Sequence, residues 1–246
     1  MRPVLWLLIA LTLLGGAAWV LLDSGRFAVV RVEITGLDRL DREEVMRSAG
    51  VRVGEPLILL DTEQVARGIT ADLAVARSAQ VSRRWPDTVR IEVRERVAVA
   101  GVRTAMGVHL LDRDGVAFAV DGDLPQGVVP VRPVAQAAAA EAGASDDNPP
   151  GTVGPDAALP AAASATPAVS NAAVVVAALP SQLRDQVAQV TVGSPDAVDL
   201  ELRDGRRVHW GGPGRAARKV LVLRALMKHE ARIYDVSAPD APTTRG

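Results

Sequence analysis

Residues 4–22 read VLWLLIALTLLGGAAWVLL and contain no charged side chain. As an α-helix this run would be about 28 Å long, close to the thickness of the hydrocarbon core of a bilayer. Trp6 and Trp19 lie near its two ends, where amphipathic rings favour the boundary between lipid and water. The stretch therefore predicts a transmembrane helix over residues 4–22, with Trp6 and Trp19 at the two membrane interfaces.

A cleaved signal peptide is the alternative for this run. Such peptides have a shorter apolar core, a more positive start and small residues before the cleavage site. Here Arg2 is the only charged side chain before the run, and the bulky Trp19 follows Ala17 and Ala18. These features favour a retained anchor. The small residues at 15–18 are either a contact for another helix or simply tolerated in lipid.

The orientation follows from the lengths on either side of the anchor. Residues 1–3 form a short positive end, and residues 23–246 follow the apolar run. Short positively charged ends tend to stay in the cytoplasm, and long domains cross the membrane largely regardless of their charge. We therefore expect a single-pass type II protein of the plasma (inner) membrane, with its bulk outside the cytoplasm.

The composition of the chain argues against several classes of function. Cys is absent, which excludes disulfides, thiolate catalysis and Cys-bound zinc. The net charge of −1 provides no general attraction for nucleic acid. His109, His209 and His229 are scattered and match no triad or metal-ligand spacing. The sequence thus predicts no enzyme, no catalytic residue, no metal and no cofactor.

The first soluble block, residues 26–100, predicts the order β-α-α-β-β. Residues 27–34 alternate as a half-buried strand, and Asp41 and Asp61 are predicted to cap two helices. Strands are predicted over 75–83 and 89–93, separated by a turn. Three strands with two helices on one face suit a small α+β domain.

The second block, residues 101–246, combines hairpins with one long helix. Its two Asp-Gly pairs, at 114–115 and 204–205, each predict a hairpin turn. The first also resembles part of a calcium loop, but the late Glu ligand is missing, which favours a plain turn. Residues 135–169 are rich in Ala and Pro and predict a disordered insertion, with an interdomain linker as the alternative. Residues 215–230 predict a helix.

Several short tracts carry a resemblance to a known family. In the first block they read VVRVEITG (29–36), REEV (42–45), GEPL (54–57), RWPDTV (84–89) and ERVAVA (95–100). In the second block they read LRDGRRVHWG (202–211) and IYDVSAP (233–239). These tracts resemble the FtsQ/DivIB family of bacterial cell division proteins, and the resemblance covers nearly the whole chain except the insertion.

The resemblance implies both a fold and a role. The implied fold is α+β: an N-terminal transmembrane helix, a POTRA domain over residues 26–100, and a mixed or antiparallel β-domain over residues 101–246. The implied role is that of a scaffold at the division septum that helps control peptidoglycan synthesis there. Its implied partners are FtsB/DivIC-like and FtsL-like division proteins.

The resemblance places partner binding on an edge strand at residues 232–238 and the residues just after. An edge strand has unpaired backbone groups, so a partner strand can be added to it. Replacing Val236 with Pro is then expected to abolish binding while the monomer stays folded. The implied contact residues are Arg232, Ile233, Tyr234, Val236, Ala238, Asp240 and Thr243.

Other interpretations remain open from the sequence. The pattern of residues 232–238 alone also fits an ordinary strand without a partner. Trp85 is either part of a binding edge or a cover for the end of the small core. A POTRA-containing envelope chaperone would need repeated domains, and the chain contains one. A secreted binding domain with no division role would require cleavage of the apolar run.

Overall fold

The computed structural model describes residues 6, 12, 27–134 and 166–246. The predicted transmembrane segment, apart from Trp6 and Thr12, lies outside these residues, as do residues 135–165 of the predicted insertion. Within the described ranges, no helix combines the length and the apolar composition needed to cross a bilayer. The described residues fall into two compact units, of which the first ends at residue 96 and the second begins at residue 97.

The first unit has the predicted β-α-α-β-β order. Its elements are β1 (Arg31–Thr35), α1 (Arg42–Ala49), α2 (Thr62–Asp72), β2 (Ala76–Arg84) and β3 (Thr88–Glu95). Strand β3 is central in a three-stranded sheet, parallel to β1 and antiparallel to β2. The helices contribute one apolar face each to the core on this sheet, through Val45 and Ala49 and through Val65 and Ile69.

Local signals explain where these helices begin and end. The carboxylate of Asp61 accepts hydrogen bonds from the N–H groups of Glu63 and Gln64, both at 3.0 Å, and so caps α2 as predicted. Asp41 makes no such bond, so the prediction of a side-chain cap there was wrong. Helix α1 ends at Gly50, whose φ of 62° is easily adopted by a residue without a Cβ.

The second unit is built on one large sheet. Its first part contains β4 (Ala100–Thr104), β5 (Gly107–Leu111), β6 (Ala117–Asp121), β7 (Val129–Pro133), α3 (Pro167–Ala178) and α4 (Ser181–Arg184). Its second part contains β8 (Val187–Ser194), β9 (Ala197–Leu202), β10 (Arg207–His209), α5 (Ala216–Leu226), β11 (Ile233–Asp235) and β12 (Thr243–Arg245). The nine strands are ordered β12-β11-β10-β9-β8-β7-β4-β5-β6.

The sheet mixes antiparallel and parallel pairs. The pairs β4–β7, β7–β8 and β10–β11 are parallel, and the others are antiparallel. Strands β7 and β8 pair directly, with Val131 opposite Val190, although residues 135–165 separate them in the chain. The strands on both sides of that segment therefore belong to one sheet, which favours an insertion within a domain over a linker between domains.

Helices α3 and α5 contribute to the core of this unit. Helix α3 supplies five buried side chains, including Val169 and Val176, and α5 supplies Val220 and Leu223. Val169 falls inside the predicted insertion of residues 135–169, so that boundary was placed too late. Thr166 caps the helix by accepting from the N–H of Val169 at 3.5 Å, and Pro167 suits the first helical position.

Three other details differ from the sequence predictions or refine them. Strands β4 and β7 were not predicted, and α5 ends at Leu226 instead of residue 230. The carboxylate of Asp112 accepts from the N–H groups of Asp114 and Val116, both at 2.9 Å. That oxygen therefore closes a turn between β5 and β6, in the way Asp side chains often do.

Candidate partner-binding edge

Strand β12 forms one edge of the nine-stranded sheet. It pairs antiparallel with β11, and Thr243, Thr244 and Arg245 are all exposed. On its outer side no strand of the described part of the chain follows. The backbone groups on that side can therefore pair with a further strand.

The hydrogen bonds identify which residue of β12 directs its backbone outward. The carbonyl oxygen of Arg245 accepts from the N–H of Arg232 at 2.9 Å, so residue 245 directs its backbone groups toward β11. Alternate residues of an antiparallel strand direct their N–H and C=O groups to opposite flanks. Thr244 therefore offers both groups to the outer flank. Pro242 shares this orientation but has no N–H to donate.

The predicted edge at residues 232–238 needs a correction. Strand β11 has β10 on one flank and β12 on the other, so its backbone groups are paired within the chain. Sequence reasoning missed β12 because it is three residues long and directly follows Pro242. Such a tract is typical of a turn. The free edge moves to Thr243–Arg245, which includes one of the seven implied contact residues.

Tyr234 is a core residue and not a surface contact. Its side chain is fully buried, and its hydroxyl donates to the carbonyl of His229 at 2.9 Å. The same hydroxyl accepts from the guanidinium of Arg206 at 3.2 Å. Hydrogen bonds to Asp204 and then Tyr234 raise the pKa of Arg206, so this cation stays charged beside the ring. Tyr234 thus fixes β11 to its neighbours from inside the unit.

Val236 is also buried, with no exposed side-chain surface. Its N–H donates to the carbonyl of His209 at 2.9 Å. Replacing Val236 with Pro would remove this bond and disturb the core. The expectation that this variant leaves the monomer folded was therefore wrong, and the substitution cannot test partner binding.

Asp240 makes ion pairs within the chain. Its carboxylate lies 2.5 Å from the guanidinium of Arg215 and 2.7 Å from that of Arg218. Arg215 precedes α5 and adopts a left-handed φ of 56°. Asp240 lies between β11 and β12, so the pairs connect the segment before the edge strand to the start of α5. All three side chains are more than half exposed, which limits the energy of the pairs.

A row of polar residues crosses the sheet beside the edge. His209 on β10 is opposite Asp199 on β9 and opposite Asp235 on β11. Asp235 is in turn opposite Thr243 on β12. The Nδ1 atom of His209 lies 2.6 Å from the carboxylate of Asp199.

The carboxylate of Asp235 has a lowered pKa. Burial raises the pKa of Asp235, but hydrogen bonds from the hydroxyl and N–H of Ser237 hold it below its usual value, with help from the charges of His209 and Arg245. Asp235 is therefore anionic at neutral pH and attracts Arg245 of the edge strand.

The remaining implied residues fall around this edge. Arg232, Ala238 and Thr243 are exposed, and Ile233 is half-buried. Trp6, predicted at a membrane interface, is helical and exposed, and Trp19 lies outside the described residues. That any of these residues contacts a partner or a membrane stays a prediction.

Metal ligands do not cluster in the part of the chain that the structure describes. No three His, Cys, Asp or Glu side chains there gather in a way that would hold a metal ion. His109 is packed in β5 with 8% of its surface exposed. The absence of catalysis and of cofactors stays a prediction.

Two family models match the chain. Residues 27–96 match the POTRA domain of FtsQ type, and residues 100–238 match the C-terminal domain of the cell division protein FtsQ/DivIB. The second match ends before β12, so the edge strand lies just beyond the matched residues.

Curated relatives named cell division protein FtsQ match most of the chain. The protein of Mycobacterium leprae is 36% identical over 218 residues, which are 89% of this chain and 56% of the relative. That of Streptomyces bingchenggensis is 36% identical over 237 residues, 95% of this chain and 82% of the relative. That of Mycolicibacterium smegmatis is 37% identical over 214 residues, 87% of this chain and 56% of the relative. With an α+β fold that fits both family models, the resemblance seen in the sequence is confirmed, and the chain belongs to the FtsQ/DivIB family of cell division proteins.

Proposed function

We propose that this chain is a membrane-anchored scaffold of the division septum. Residues 4–22 form the anchor, residues 1–3 stay in the cytoplasm, and the chain from residue 27 onward lies outside the membrane. The uncharged length of the run and the tryptophans near its ends support this arrangement. The scaffold carries out no chemistry and helps to control septal peptidoglycan synthesis by holding other division proteins.

The partner-binding surface is the outer flank of β12. A strand of an FtsB/DivIC-like protein, itself joined to an FtsL-like protein, adds to this flank and completes the sheet by one strand. The observation that supports this most directly is the outward backbone of Thr244 on the exposed strand β12. An exposed sheet edge gives affinity through backbone hydrogen bonds, and side chains near it give specificity.

The side chains near this flank divide into two groups. Arg232, Ala238, Asp240 and Thr243 are exposed and can contact a partner directly. Tyr234 and Val236 are buried and act on binding only through the position of β11. This division predicts that substitutions in the second group impair folding first and binding as a consequence.

The proposal is tested by a proline at the outward position of the edge. The full chain, with Thr244→Pro, is co-expressed with the FtsB/DivIC-like and FtsL-like proteins of the same organism and captured from detergent extracts. The proline removes the one outward N–H of β12 and keeps the inward bonds of residues 243 and 245. We expect loss of partner capture with an unchanged melting temperature.

Two controls make the result decisive. Thr244→Val keeps the N–H group and has a similar shape, so it should capture the partners as the unsubstituted chain does. Alkaline carbonate extraction of the same membranes checks the anchor, because a chain held by a transmembrane helix stays in the pellet. Undiminished capture by a folded Thr244→Pro chain would refute strand addition at β12.

A further inference from the structure

The large apolar side chains exposed on residues 27–96 are unevenly distributed. The segment before β1, the segment between the two helices, and the turn between β2 and β3 carry all of them. They are Val30, Val53, Ile58, Leu59 and Trp85, with exposed fractions of 58%, 71%, 56%, 68% and 55%. Clusters of exposed apolar side chains commonly mark a contact surface.

The backbone brings these positions to one end of the first unit. The N–H of Leu57 donates to the carbonyl of Phe27 at 2.7 Å, and the N–H of Gly54 donates to the carbonyl of Val29 at 2.8 Å. The same segment also contacts the turn between β2 and β3, where the N–H of Val30 donates to the carbonyl of Asp87 at 2.8 Å. Residues 27–30, 53–59 and 85–87 therefore meet where β1 and β3 begin and β2 ends. We refer to these residues as the Trp85 end.

The opposite end of the same sheet has a different character. There Glu95 accepts hydrogen bonds from the N–H groups of residues 38–40, at 2.8 to 3.0 Å. Arg96 donates to the carbonyl of Ala74 at 3.0 Å. No large exposed apolar side chain of residues 27–96 lies at that end. Within residues 27–96, the exposed apolar side chains thus lie at the end where the chain enters this unit, whereas Val97, which is 75% exposed, follows the opposite end and belongs to the second unit.

The side chains of the Trp85 end are of the types found on protein surfaces that bind a lipid interface. The ring of Trp85 stacks edge-on against Phe27, with centroids 5.7 Å apart, so it is held in place although it is exposed. Arg31, Arg52 and Arg84 are exposed, and each is next to one of these apolar residues in the chain; Arg31 also lies 3.8 Å from the carboxylate of Asp87. Trp at the headgroup level and Arg near anionic headgroups are the residues that favour a membrane surface.

The position of the Trp85 end along the chain favours lipid as the surface that it binds. Only residues 23–26 separate the uncharged run 4–22 from Phe27. At about 3.5 Å per residue, this connection spans at most about 18 Å. A unit that begins so close to a membrane anchor presents its nearest end to the headgroup layer.

We propose that the Trp85 end docks on the lipid headgroup interface, with Trp85, Ile58 and Leu59 entering it and the surrounding arginines facing anionic lipid. The proposal rests on the membrane anchor of the proposed function. It adds a second, non-covalent attachment that fixes how the first unit stands on the bilayer.

The test measures contact between Trp85 and lipid in the full chain. The protein is reconstituted into vesicles of phosphatidylcholine and phosphatidylglycerol, with Trp6→Phe and Trp19→Phe to remove the tryptophans of the anchor. Trp85 and the fully buried Trp210 then remain as fluorophores. Lipids brominated at the 6 and 7 positions of one chain quench tryptophans that lie near the interface. We expect a loss of emission that disappears when Trp85→Phe is added.

Matched variants separate docking from folding. Ile58→Ser with Leu59→Ser replaces two exposed side chains and should reduce quenching of Trp85 without changing the circular dichroism. Leu221→Ser replaces a side chain of α5 that is 67% exposed and should leave quenching unchanged.

The inference is overturned if soluble acrylamide quenches Trp85 fully while brominated lipid does not. It is also overturned if Trp85 becomes protected only after the FtsB-like partner is added, because the end then serves a protein. Carbonate extraction distinguishes these results from failure of the anchor. A chain that stays in the membrane but shows no lipid quenching refutes only the docking.

Discussion

Lys219 is a buried cation bonded only to backbone carbonyls. Its Nζ donates to the carbonyls of Trp210 and Gly212 at 2.8 and 2.9 Å, and 3% of its surface is exposed. Burial lowers the pKa of Lys219 below 10.5, and the charge of Arg215 adds to this, although Asp196 and Asp235 oppose it. Burying the charged amine therefore costs free energy, and the two carbonyl hydrogen bonds hold it in place.

This arrangement predicts the effect of Lys219→Ala on stability. The substitution leaves two carbonyls without their donor, so we expect a loss of about 1–3 kcal/mol in the free energy of unfolding. At pH values between the lowered pKa of Lys219 in the folded protein and 10.5, the unfolded chain binds more protons at this side chain than the folded protein does. The unsubstituted protein therefore gains stability as pH rises. The difference between the two proteins should therefore widen toward pH 10.5. Denaturant unfolding followed by Trp210 fluorescence measures it.

Glu95 provides a second prediction, with a pH dependence of the same sign but in the acidic range. Burial raises the pKa of Glu95, but hydrogen bonds from the N–H groups of Asp38, Leu40 and Arg39 lower it below 4.5 overall. Its contribution is present above pH 4.5 and is lost as the pH falls through the lowered value. Glu95→Gln should cost about 1 kcal/mol at pH 7 and less near pH 3. A loss that is equal at both pH values would contradict this account.

Single residues show what the sequence revealed and what it did not. The resemblance implied Tyr234 and Val236 as contact residues, but the sequence did not reveal that both side chains lie in the core. Glu95 and Arg96 are neighbours in the chain but have separate partners, the N–H groups of residues 38–40 and the carbonyl of Ala74. The outward orientation of Thr244 follows from a hydrogen bond between Arg232 and Arg245. No sequence pattern predicts that bond.

Among the elements, those with a strong local signal were predicted well. Helix α2 has an apolar stripe and a capping Asp, and the hairpin of β5 and β6 has an Asp-Gly turn. Strands β4 and β7 were missed because they contain Gly101 and two prolines, and each has a parallel neighbour that is distant in sequence. Parallel pairing has no turn signal that sequence reasoning could use.

The segment between β11 and β12 carries a prediction about the edge. Asp240→Ala removes both ion pairs with Arg215 and Arg218, so this segment should loosen. Since the pairs are exposed, we expect a change of at most about 1 kcal/mol in global stability. The N–H of Arg232, which bonds to Arg245, should nevertheless exchange faster in hydrogen–deuterium measurements. Glu230→Ala, an exposed carboxylate after α5, serves as the control and should leave that rate unchanged.

At the scale of the whole molecule, the described residues contain several sheet edges. The first sheet ends at β1 and β2, and the large sheet ends at β6 and β12. Val120 on β6 is 49% exposed, so that edge also offers apolar surface. The proposed binding at β12 therefore requires that a partner prefer β12 over the other edges, and this preference can be tested.

A photo-reactive amino acid distinguishes the two edges of the large sheet. Placed at position 244 it should cross-link the FtsB/DivIC-like protein, and placed at position 120 it should not. The two positions lie at opposite ends of the same strand order, and circular dichroism of both chains checks that they fold alike. Equal cross-linking from both sites would contradict a single binding edge.

The strand order also has a consequence for refolding of the chain from denaturant. Strand β11 lacks its outer neighbour until β12 pairs with it. A foreign strand present in that interval meets the flank of β11 itself, and β12 must then displace it to close the sheet.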